Sequence, residues 1–486
     1  MKKAVVIGAG IGGLGAAVRL ARLGYAVTVL EANDYAGGKL ANNVLGGYRF
    51  DRGPSLFTMP FLVDEVLDDA TEFEYEKLEN ICNYFFEDGT RLAASADRET
   101  FIARLAAAYN EDPNAVRAHL DKSRLLYDTT AEVFMYSSLH RAKTFLRGST
   151  LRSALRLPTI GIHTTMHRAN TARFRSPKTV QHFNRYATYN GSDPYTAPAV
   201  LNVIPHLEHH QGAFYPKGGM FSIPTAVRNA AERLGVVFHF NTPAREIVYV
   251  SKRVTGVRTD NATYPADLVV SNLDVYQTYR RLLPALPAPE RILAQSKSLS
   301  GVSFNWGIRG TFPELDLHNI FFGNDYAAEF EHYFKHKNIS PDPTVYINVT
   351  SKHTPEDAPA GCENWFILVN APSNEGQDWD AIVADTRRAV LSKLSRMLGK
   401  DIEPLIEVED VLEPRSIEAR TGSYGGSLYG NASNSTFAAF MRHSNHNPRL
   451  RGLYHTGGSV HPGGGIPMSL LSAKIVGDMV SDGKNV

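Results

Sequence analysis

The amino-acid sequence predicts an α/β fold with two intimately joined domains, one of them Rossmann-like, and three observations lead to this expectation. At 486 residues, the chain is longer than one hydrophobic core usually serves. Its N-terminus runs from a short β-branched strand through a glycine turn into an Ala/Leu-rich helix. Near the C-terminus, another short apolar run meets another glycine-dense loop at the start of a helix. The long remainder mixes strand-like and helical segments, as expected of a mixed-sheet domain that also contains helices.

The first strand and its glycine turn predict a dinucleotide site. The expected strand covers residues 4–7, the expected helix covers 15–23, and between them lie Gly8, Gly10, Gly12 and Gly13. Gly8 permits the tight turn, Gly10 lets a pyrophosphate approach the backbone, and Gly13 lets helix and strand pack closely. The free N–H groups at the helix N-terminus then face an anion. With a second strand at 26–30, this order favours a dinucleotide site over a chance glycine turn.

The residues after the second strand restrict which dinucleotide can bind. Glu31 lies eighteen residues beyond Gly13, where a carboxylate can accept both ribose hydroxyls. Because the same carboxylate repels a 2′-phosphate, NADP fits poorly, while NAD and FAD remain. Gly37, Gly38 and Lys39 then extend the phosphate cradle and add a cation, which a simple NAD-binding fold does not need. The alternative is an ordinary solvated lysine after a turn.

The bulk composition excludes several classes of protein. With 43% hydrophobic residues, 21% charged residues and a net charge of +1, the global charge predicts no partner. Cys82 and Cys362 lie far apart, which predicts a reducing compartment and no disulfide framework. No run approaches about eighteen apolar residues, so we expect a cytoplasmic protein that meets a membrane only at its surface. The two cysteines do not form a C-x-x-C pair, and we expect no metal site.

Local charge is less even than the total. The sixty residues between Glu132 and Asp193 contain no acidic side chain, but they contain ten basic ones: Arg141, Lys143, Arg147, Arg152, Arg156, Arg168, Arg173, Arg175, Lys178 and Arg185. Large apolar residues alternate with several of them, which suits the surface of an anionic bilayer. A solvated helical face is the competing interpretation. We expect no nucleic-acid partner, because the stretch contains no recognisable nucleic-acid module.

The middle of the chain predicts further elements of both domains. Helices are expected at 99–110 and 114–134, and a second nucleotide-domain signature begins at 215 with a Gly-Gly turn and a helix over 222–234. Strands at 236–240, 244–250, 253–259 and 268–271 predict a βαβ unit and a β-meander. Strands at 346–349 and 365–369 predict a second, larger sheet in the region 276–440.

The C-terminal loop predicts a contact with the reactive part of a cofactor. It runs over 456–468 and leads into a helix at 469–480, with Pro467 just inside the helix start, where a fixed φ fits. A helix N-terminus carries partial positive charge, which would stabilise the anion formed when a flavin accepts a hydride. His461 lies within this loop and is a candidate base, although a structural histidine that holds the loop fits equally well.

Three segments resemble bacterial phytoene-desaturase-type carotenoid desaturases: residues 8–13, residues 50–55 and the His-Pro-Gly-Gly-Gly-Ile-Pro loop at 461–467. Internal pieces around 215–219, 271–274 and 358–362 fit in the same order. The resemblance implies FAD, a C40 polyene substrate, and peripheral contact with an anionic membrane. It also implies an FAD-binding domain made of residues 1–75, 213–280 and 441–486, with 76–212 and 281–440 binding the substrate and associating with the membrane.

The resemblance also assigns the cofactor-binding residues. It places Gly8, Gly10, Gly12, Gly13, Glu31 and Lys39 on the ADP half and the backbone of Ala244 at the adenine. Around the ribityl chain and the flavin it places Gly53, Pro54, Ser55, Asn272, Gly458, Ile466, Pro467 and Met468. It assigns no catalytic residue.

Two departures from the family pattern bear on the substrate. Lys39 stands where most members have Arg, and Met468 stands where phytoene desaturases commonly have Gly. Because Met468 narrows the space beside the flavin, we expect 3,4-desaturation of one acyclic end of a hydroxylated carotenoid, a 1-hydroxycarotenoid or a hydroxy-γ-carotene. The expected electron acceptor is oxygen or a quinone. Phytoene desaturation is the alternative, and a carotenoid isomerase, a flavin amine oxidase and a flavin-free binder of isoprenoid chains are more distant ones.

Overall fold

The computed structural model describes residues 1–141, 144, 161, 163–435, 438 and 441–483. In chain order the strands are β1 (Lys3–Ile7), β2 (Ala26–Leu30), β3 (Asn42–Leu45), β4 (Tyr48–Asp51), β5 (Tyr75–Lys77), β6 (Asn80–Phe85), β7 (Arg91–Ser95), β8 (Phe214–Pro216), β9 (Val237–His239), β10 (Glu246–Val250), β11 (Arg253–Arg258), β12 (Thr263–Pro265), β13 (Leu268–Ser271), β14 (Ser300–Arg309), β15 (His318–Phe321), β16 (Val345–Val349), β17 (Cys362–Ala371), β18 (Ile406–Leu412) and β19 (Leu453–His455). The α-helices are α1 (Ile11–Arg22), α2 (Phe61–Asp64), α3 (Arg98–Tyr109), α4 (Pro113–Phe134), α5 (Met166–Arg173), α6 (Pro177–Asn184), α7 (Ile204–His206), α8 (Ser222–Arg233), α9 (Val275–Gln277), α10 (Glu290–Leu293), α11 (Tyr326–Glu331), α12 (Trp379–Leu398), α13 (Pro414–Thr421) and α14 (Ile466–Ser481).

A five-stranded parallel sheet with the order β19-β13-β1-β2-β9 forms the nucleotide-binding part of the fold. Both of its faces are buried, because Val6 packs against α1 and α14 while Val5 packs against the β10–β12 side. A central strand covered on both faces needs apolar residues at every position, which is why residues 4–7 are a continuous apolar run. The predicted Rossmann-like α/β unit is confirmed.

The predicted antiparallel strands at 244–250 and 253–259 are confirmed as β10 and β11, and the third strand of the meander is β12, which was not predicted. The strand predicted at 236–240 is β9, which joins the edge of the parallel sheet beside β2. The strand predicted at 268–271 is β13, which enters the same sheet between β1 and β19. The chain between 237 and 271 therefore leaves the parallel sheet for three strands and then returns to its interior.

The second, larger sheet predicted for the middle region has seven strands in the order β18-β14-β17-β16-β15-β6-β7. The segments predicted as strands at 346–349 and 365–369 lie within β16 and β17. β14 and β17 pair antiparallel along ten residues each, and their buried Trp306 and Trp365 face each other in the register. This sheet forms one wall of the cavity described below.

Two predicted helices begin earlier than expected, for one physical reason. The helix predicted from residue 15 begins at Ile11, and the helix predicted from residue 469 begins at Ile466. Gly12 and Gly13 belong to the predicted glycine turn, whereas Pro467 was expected just inside the helix start. In the structure they form the first helical turn, where proline needs no N–H partner and glycine allows close packing.

The basic stretch is not one uniform surface. Lys143, Arg147, Arg152 and Arg156 lie outside the described residues, while Arg168, Arg173 and Arg175 are exposed. Arg141 and Lys178 form ion pairs with Asp482 and Asp88. Arg185 is buried and paired with Glu208, so its assignment to a membrane-facing surface is wrong. Among the described residues, no helix is long and apolar enough to cross a bilayer.

The packing of α1 on β1 gives a test. A Cβ on Gly13 would lie 2.0 Å from the carbonyl oxygen of Gly8, whereas a Cβ on Gly15 would lie 3.2 Å from side-chain atoms of Leu470 and Ala473. We expect Gly13→Ala to lower the free energy of unfolding by about 1–3 kcal/mol because backbone cannot move aside. Gly15→Ala should change it little, since a helix-propensity gain of about 1 kcal/mol offsets tighter packing. Urea denaturation followed by circular dichroism measures both, and equal losses would contradict the expectation.

Candidate functional site

The predicted cofactor residues meet at one edge of the parallel sheet. Strands β1, β2, β13 and β19 run parallel, so the loops after their carboxyl ends lie side by side. These loops contain the first glycine turn, Glu31, Asn272 and the C-terminal loop, respectively. A cavity of about 570 Å³ begins at this edge and extends to side chains of β16 and β17 in the larger sheet.

The first glycine turn presents bare backbone to this cavity. Gly8 has a φ of +90°, and its N–H donates to the carbonyl oxygen of Leu30 at 2.8 Å. A Cβ on Gly10 or Gly12 would lie 2.7 Å from the side-chain amide of Asn272, so neither position accepts a side chain without a shift. The N-terminus of α1 and its unpaired N–H groups are thereby left at the cavity wall, where an anion binds favourably.

The second glycine pair packs directly on the first turn. The N–H of Gly37 donates to the carbonyl oxygen of Ala9 at 2.8 Å. A Cβ on Gly38 would lie 3.1 Å from the Cα of Gly10. The two segments that the sequence assigned to one phosphate cradle are therefore adjacent and joined by a backbone hydrogen bond.

Glu31 lies at the end of β2 and is buried. Its Oε2 accepts from the N–H of Ala9 at 2.6 Å, and its Oε1 accepts from the N–H and the side-chain amide of Asn33 at 2.8 and 2.9 Å. The carboxylate thus braces the glycine turn. A carboxylate has about four lone-pair sites, so acceptor capacity remains for ribose hydroxyls. The ribose contact stays a prediction.

Lys39 is half-buried at the cavity wall and its ammonium is engaged by backbone, so the alternative of an ordinary solvated lysine is wrong. Its Nζ donates to the carbonyl oxygens of Ser427 and Leu428 at 2.9 and 2.8 Å. Desolvation lowers the pKa of Lys39 to about 8, although the nearby Asp274 carboxyl favours the charged form. A partly desolvated ammonium whose hydrogen bonds go to neutral carbonyl oxygens favours an anionic ligand beside it.

Arg442 is a second buried cation at the cavity, and sequence reasoning missed it. Its guanidinium donates to the carbonyl oxygens of Tyr429, Gly458 and Asn431 and to the side chain of Asn190, at 2.9 to 3.3 Å. Burial lowers the pKa of Arg442 to about 10, and among the described residues no carboxylate lies within ion-pair distance of it. No local motif marks Arg442, because its partners come from three distant segments.

The segment 53–55 lies beside Lys39. A Cβ on Gly53 would lie 2.0 Å from the carbonyl oxygen of Lys39, which requires glycine there. The Oγ of Ser55 lies 2.7 Å from the hydroxyl of Tyr346, and that hydroxyl lies 2.7 Å from Nδ1 of His318. The cavity wall thus carries a hydrogen-bonded chain from the predicted cofactor segment into the larger sheet.

The C-terminal loop closes the same cavity. Gly465 has a φ of +99° and precedes α14, whose first turn contains Pro467. Nε2 of His461 lies 2.8 Å from the carbonyl oxygen of Ser137, and burial lowers the pKa of His461 to about 4. A neutral imidazole that donates to a backbone carbonyl ties the loop to the end of α4. This contact supports the interpretation of His461 as a structural histidine.

The predicted residues divide into two groups. Those that line the cavity are Gly10, Gly12, Lys39, Gly53, Pro54, Ser55, Asn272, Gly458, Ile466, Pro467 and Met468. Gly8 and Gly13 lie behind the lining and shape the turn. Ala244 packs against the apolar cluster beneath β1, on a loop whose Thr242 N–H donates to the carbonyl oxygen of Glu31 at 2.7 Å. The adenine contact of Ala244 stays a prediction.

The far part of the cavity is mostly apolar. Its lining includes Ile81, Val200, Leu201, Val203, Ile204, Leu207, Phe366 and Leu368. These side chains come from β6, from β17 and from the turns around α7. Such a lining suits a hydrocarbon chain, because each buried methylene contributes about 0.8 kcal/mol.

Known proteins match this chain over nearly its whole length. The family model described as flavin containing amine oxidoreductase matches residues 11–479. A 1-hydroxycarotenoid 3,4-desaturase of Flavobacterium sp. is 49% identical over 484 residues, which cover 99% of this chain and 99% of that protein. A 4,4'-diapolycopene oxygenase of Methylomonas sp. is 34% identical over 498 residues, which cover 99% and 98%.

A solved structure supports the fold. An oxidoreductase from Methanosarcina mazei superimposes with a TM-score of 0.64 over 98% of this chain and 100% of that chain, at 16% sequence identity. At this identity the likeness concerns the fold alone. It extends over both sheets, so the predicted α/β architecture is confirmed.

The lowered pKa of Lys39 predicts that cofactor binding depends on pH. In the free protein Lys39 loses its proton near pH 8, whereas a bound pyrophosphate favours the charged form. Binding then requires proton uptake above pH 8, so FAD affinity should be constant below that value and fall by up to about tenfold per pH unit above it. Lys39→Arg keeps its charge and should show no decline between pH 8 and 9.5. Titration of the apoprotein with FAD measures this, and parallel declines in both proteins would contradict it.

Proposed function

Because this chain belongs to the flavin-containing amine oxidoreductase family and is an FAD-dependent oxidoreductase, we propose that it desaturates a carotenoid. The proposed reaction is 3,4-desaturation of one acyclic end of a hydroxylated carotenoid. The observation that carries the proposal is the 49% identity to a 1-hydroxycarotenoid 3,4-desaturase over nearly the full length of both chains. The cavity supports it, because a cavity with a mostly apolar far part begins at the glycine turns.

The residues at the sheet edge fit FAD. The glycine turns, the N-terminus of α1 and Lys39 would hold the pyrophosphate, and Glu31 would hold the ribose. The loop 456–468 and the segment 53–55 would surround the flavin. Bound FAD supplies the hydride acceptor that the removal of two hydrogens requires. Arg442 and the N-terminus of α14 would place positive charge beside it.

The protein contributes mainly orientation and exclusion of water. The apolar lining would hold an extended polyene in one path, and a fixed path brings one carbon–carbon bond to the reacting position. An already conjugated chain stabilises the positive charge that develops at an allylic carbon as the hydride leaves, and the adjacent carbon would then lose its proton to the flavin or to water. Burial lowers the pKa of the two lining histidines, His318 and His461, to about 4, and both have hydrogen-bond partners of their own.

The domain organisation and the cellular context complete the proposal. We propose that 1–75, 213–280 and 441–486 bind FAD and that 76–212 and 281–440 bind the substrate. All five strands of the parallel sheet fall in the first set of segments, and all seven strands of the larger sheet fall in the second. A C40 chain will not cross water, so the tunnel would open onto a membrane surface. Oxygen or a quinone would then take the electrons.

Pigment analysis tests the function. Expressed in bacteria that make a 1-hydroxylated acyclic carotenoid, the chain should convert it to a product that is two hydrogens lighter, with one more conjugated double bond. In bacteria that make phytoene, no lycopene should form, because Met468 narrows the space at the expected flavin position. Lycopene from phytoene without a product from the hydroxycarotenoid would establish the phytoene alternative. A rearranged product of unchanged mass would establish an isomerase, and turnover of amines an amine oxidase.

Membrane attachment is tested by charge reversal in the basic stretch. We expect a variant with Arg147, Arg152 and Arg156 changed to Glu to lose binding to anionic liposomes, and wild-type binding to weaken at high salt. A matched variant carries the same change at Arg258, Arg388 and Arg415, which are exposed elsewhere. Co-sedimentation compares the three proteins. Equal binding of all three proteins at low and high salt would support the competing interpretation, in which the stretch is a solvated helical face.

A further inference from the structure

A charged pair lies within the otherwise apolar part of the cavity. Arg185 and Glu208 are both buried, both line the cavity, and are 3.6 Å apart between Nη2 and Oε2. The hydroxyls of Tyr186 and Tyr189 donate to the two oxygens of Glu208, the first at 2.7 Å. The Arg185 guanidinium donates to the hydroxyls of Tyr84 and Tyr189 at 2.7 and 2.9 Å. A cavity for a plain hydrocarbon gains nothing from such a pair, since its charges must be desolvated.

His318 adds an unpartnered donor to the same cavity. Its Nδ1 lies 2.7 Å from the Tyr346 hydroxyl and 3.3 Å from the side-chain nitrogen of Asn348. Because the Asn348 amide can only donate there, Nδ1 is the acceptor and Nε2 carries the proton. Among the described residues this Nε2 has no hydrogen-bond partner, although His318 is buried and lines the cavity. A buried donor without an acceptor costs free energy unless a ligand satisfies it.

Two hydrogen-bond chains join these groups to the predicted flavin segments. One runs from Ser55 through Tyr346 to His318. The other runs from the Gly458 carbonyl oxygen through Arg442 to Asn190, the residue next to Tyr189. His318, Glu208 and Arg185 line the same cavity as these segments, and Glu208 and Arg185 lie near enough to His318 to shift its pKa in opposite directions. The end of a substrate would lie among them during desaturation near that end.

We propose that His318 and the Arg185–Glu208 pair form a binding site for the terminal hydroxyl of the substrate. This proposal rests on the proposed function and names the part of the substrate that the cavity recognises. A hydroxyl both accepts and donates, so it would accept from Nε2–H of His318 and donate to the Glu208 carboxylate. Arg185 pairs with the Glu208 carboxylate and is a positioning residue.

Such a site explains the choice of bond. A hydroxyl on C1 is separated from the C3–C4 bond by C2 alone, so anchoring the oxygen fixes which bond lies at the reacting position. A chain without the hydroxyl would leave His318 Nε2–H and the carboxylate facing hydrocarbon. A site built to hydrogen-bond a hydroxyl discriminates strongly against the analogue that lacks it.

Binding measurements on the FAD-loaded, reduced enzyme under anaerobic conditions test the proposal without turnover. The probes are a 1-hydroxylated acyclic carotenoid and the same carotenoid without its hydroxyl, followed by quenching of tryptophan fluorescence. We expect wild type to bind the hydroxylated probe about 10- to 100-fold more tightly. His318→Phe and Glu208→Gln should each reduce that ratio at least about tenfold, with little change for the probe that lacks the hydroxyl.

His209→Phe is the matched control. His209 is also a buried histidine and contacts the Tyr186 hydroxyl at 3.0 Å, but it does not line the cavity. This variant should weaken both probes equally or neither. A wild-type ratio near one, or equal losses for both probes in His318→Phe and Glu208→Gln, would overturn the proposal. Wild type that prefers the hydroxylated probe yet desaturates neither compound aerobically would retain the hydroxyl site and refute the desaturase function.

Discussion

Close approach of backbone to backbone at the carboxyl edge of the parallel sheet is the constraint on which the rest of the structure depends. Helix α1 lies so near β1 that position 13 has no room for a Cβ, and the side chain of Asn272 fills the gap between Gly12 and Gly457. This packing brings the loops after β1, β13 and β19 together. The cavity, its positive wall and its mouth toward the larger sheet all follow from the meeting of these loops.

The electrostatics of this edge are unbalanced in the protein alone. Arg442 is buried and Lys39 half-buried among neutral carbonyl oxygens, and Asp274 is the acidic side chain that acts on Lys39. Burying a cation without a counter-ion is costly, so the folded protein gains from an anionic ligand at this place. By mass action, binding to the folded state alone stabilises that state. Cofactor binding and conformational stability are therefore coupled through the same two side chains.

Local sequence predicted the glycine turns, Glu31 and the C-terminal loop because each of these features needs particular residues at fixed short spacing. Arg442, His318 and Glu208 escaped prediction because their partners lie in distant segments and only the folded chain brings them together. Arg185 was misassigned because charge along a sequence says nothing of burial. Lys39 shows the reverse case, since its place after a glycine pair predicted a functional cation.

The parallel sheet draws neighbouring strands from opposite ends of the chain. Ala4 pairs with Leu268, and Val270 pairs in turn with Tyr454 of β19. During synthesis β1 and β2 leave the ribosome long before β13, which pairs with β1, and the C-terminal loop that closes the cavity follows later still. Pairings of such high sequence separation form slowly and leave strand edges exposed in the meantime. Assembly of the parallel sheet and of the cavity at its edge therefore waits for segments made long after the first glycine turn.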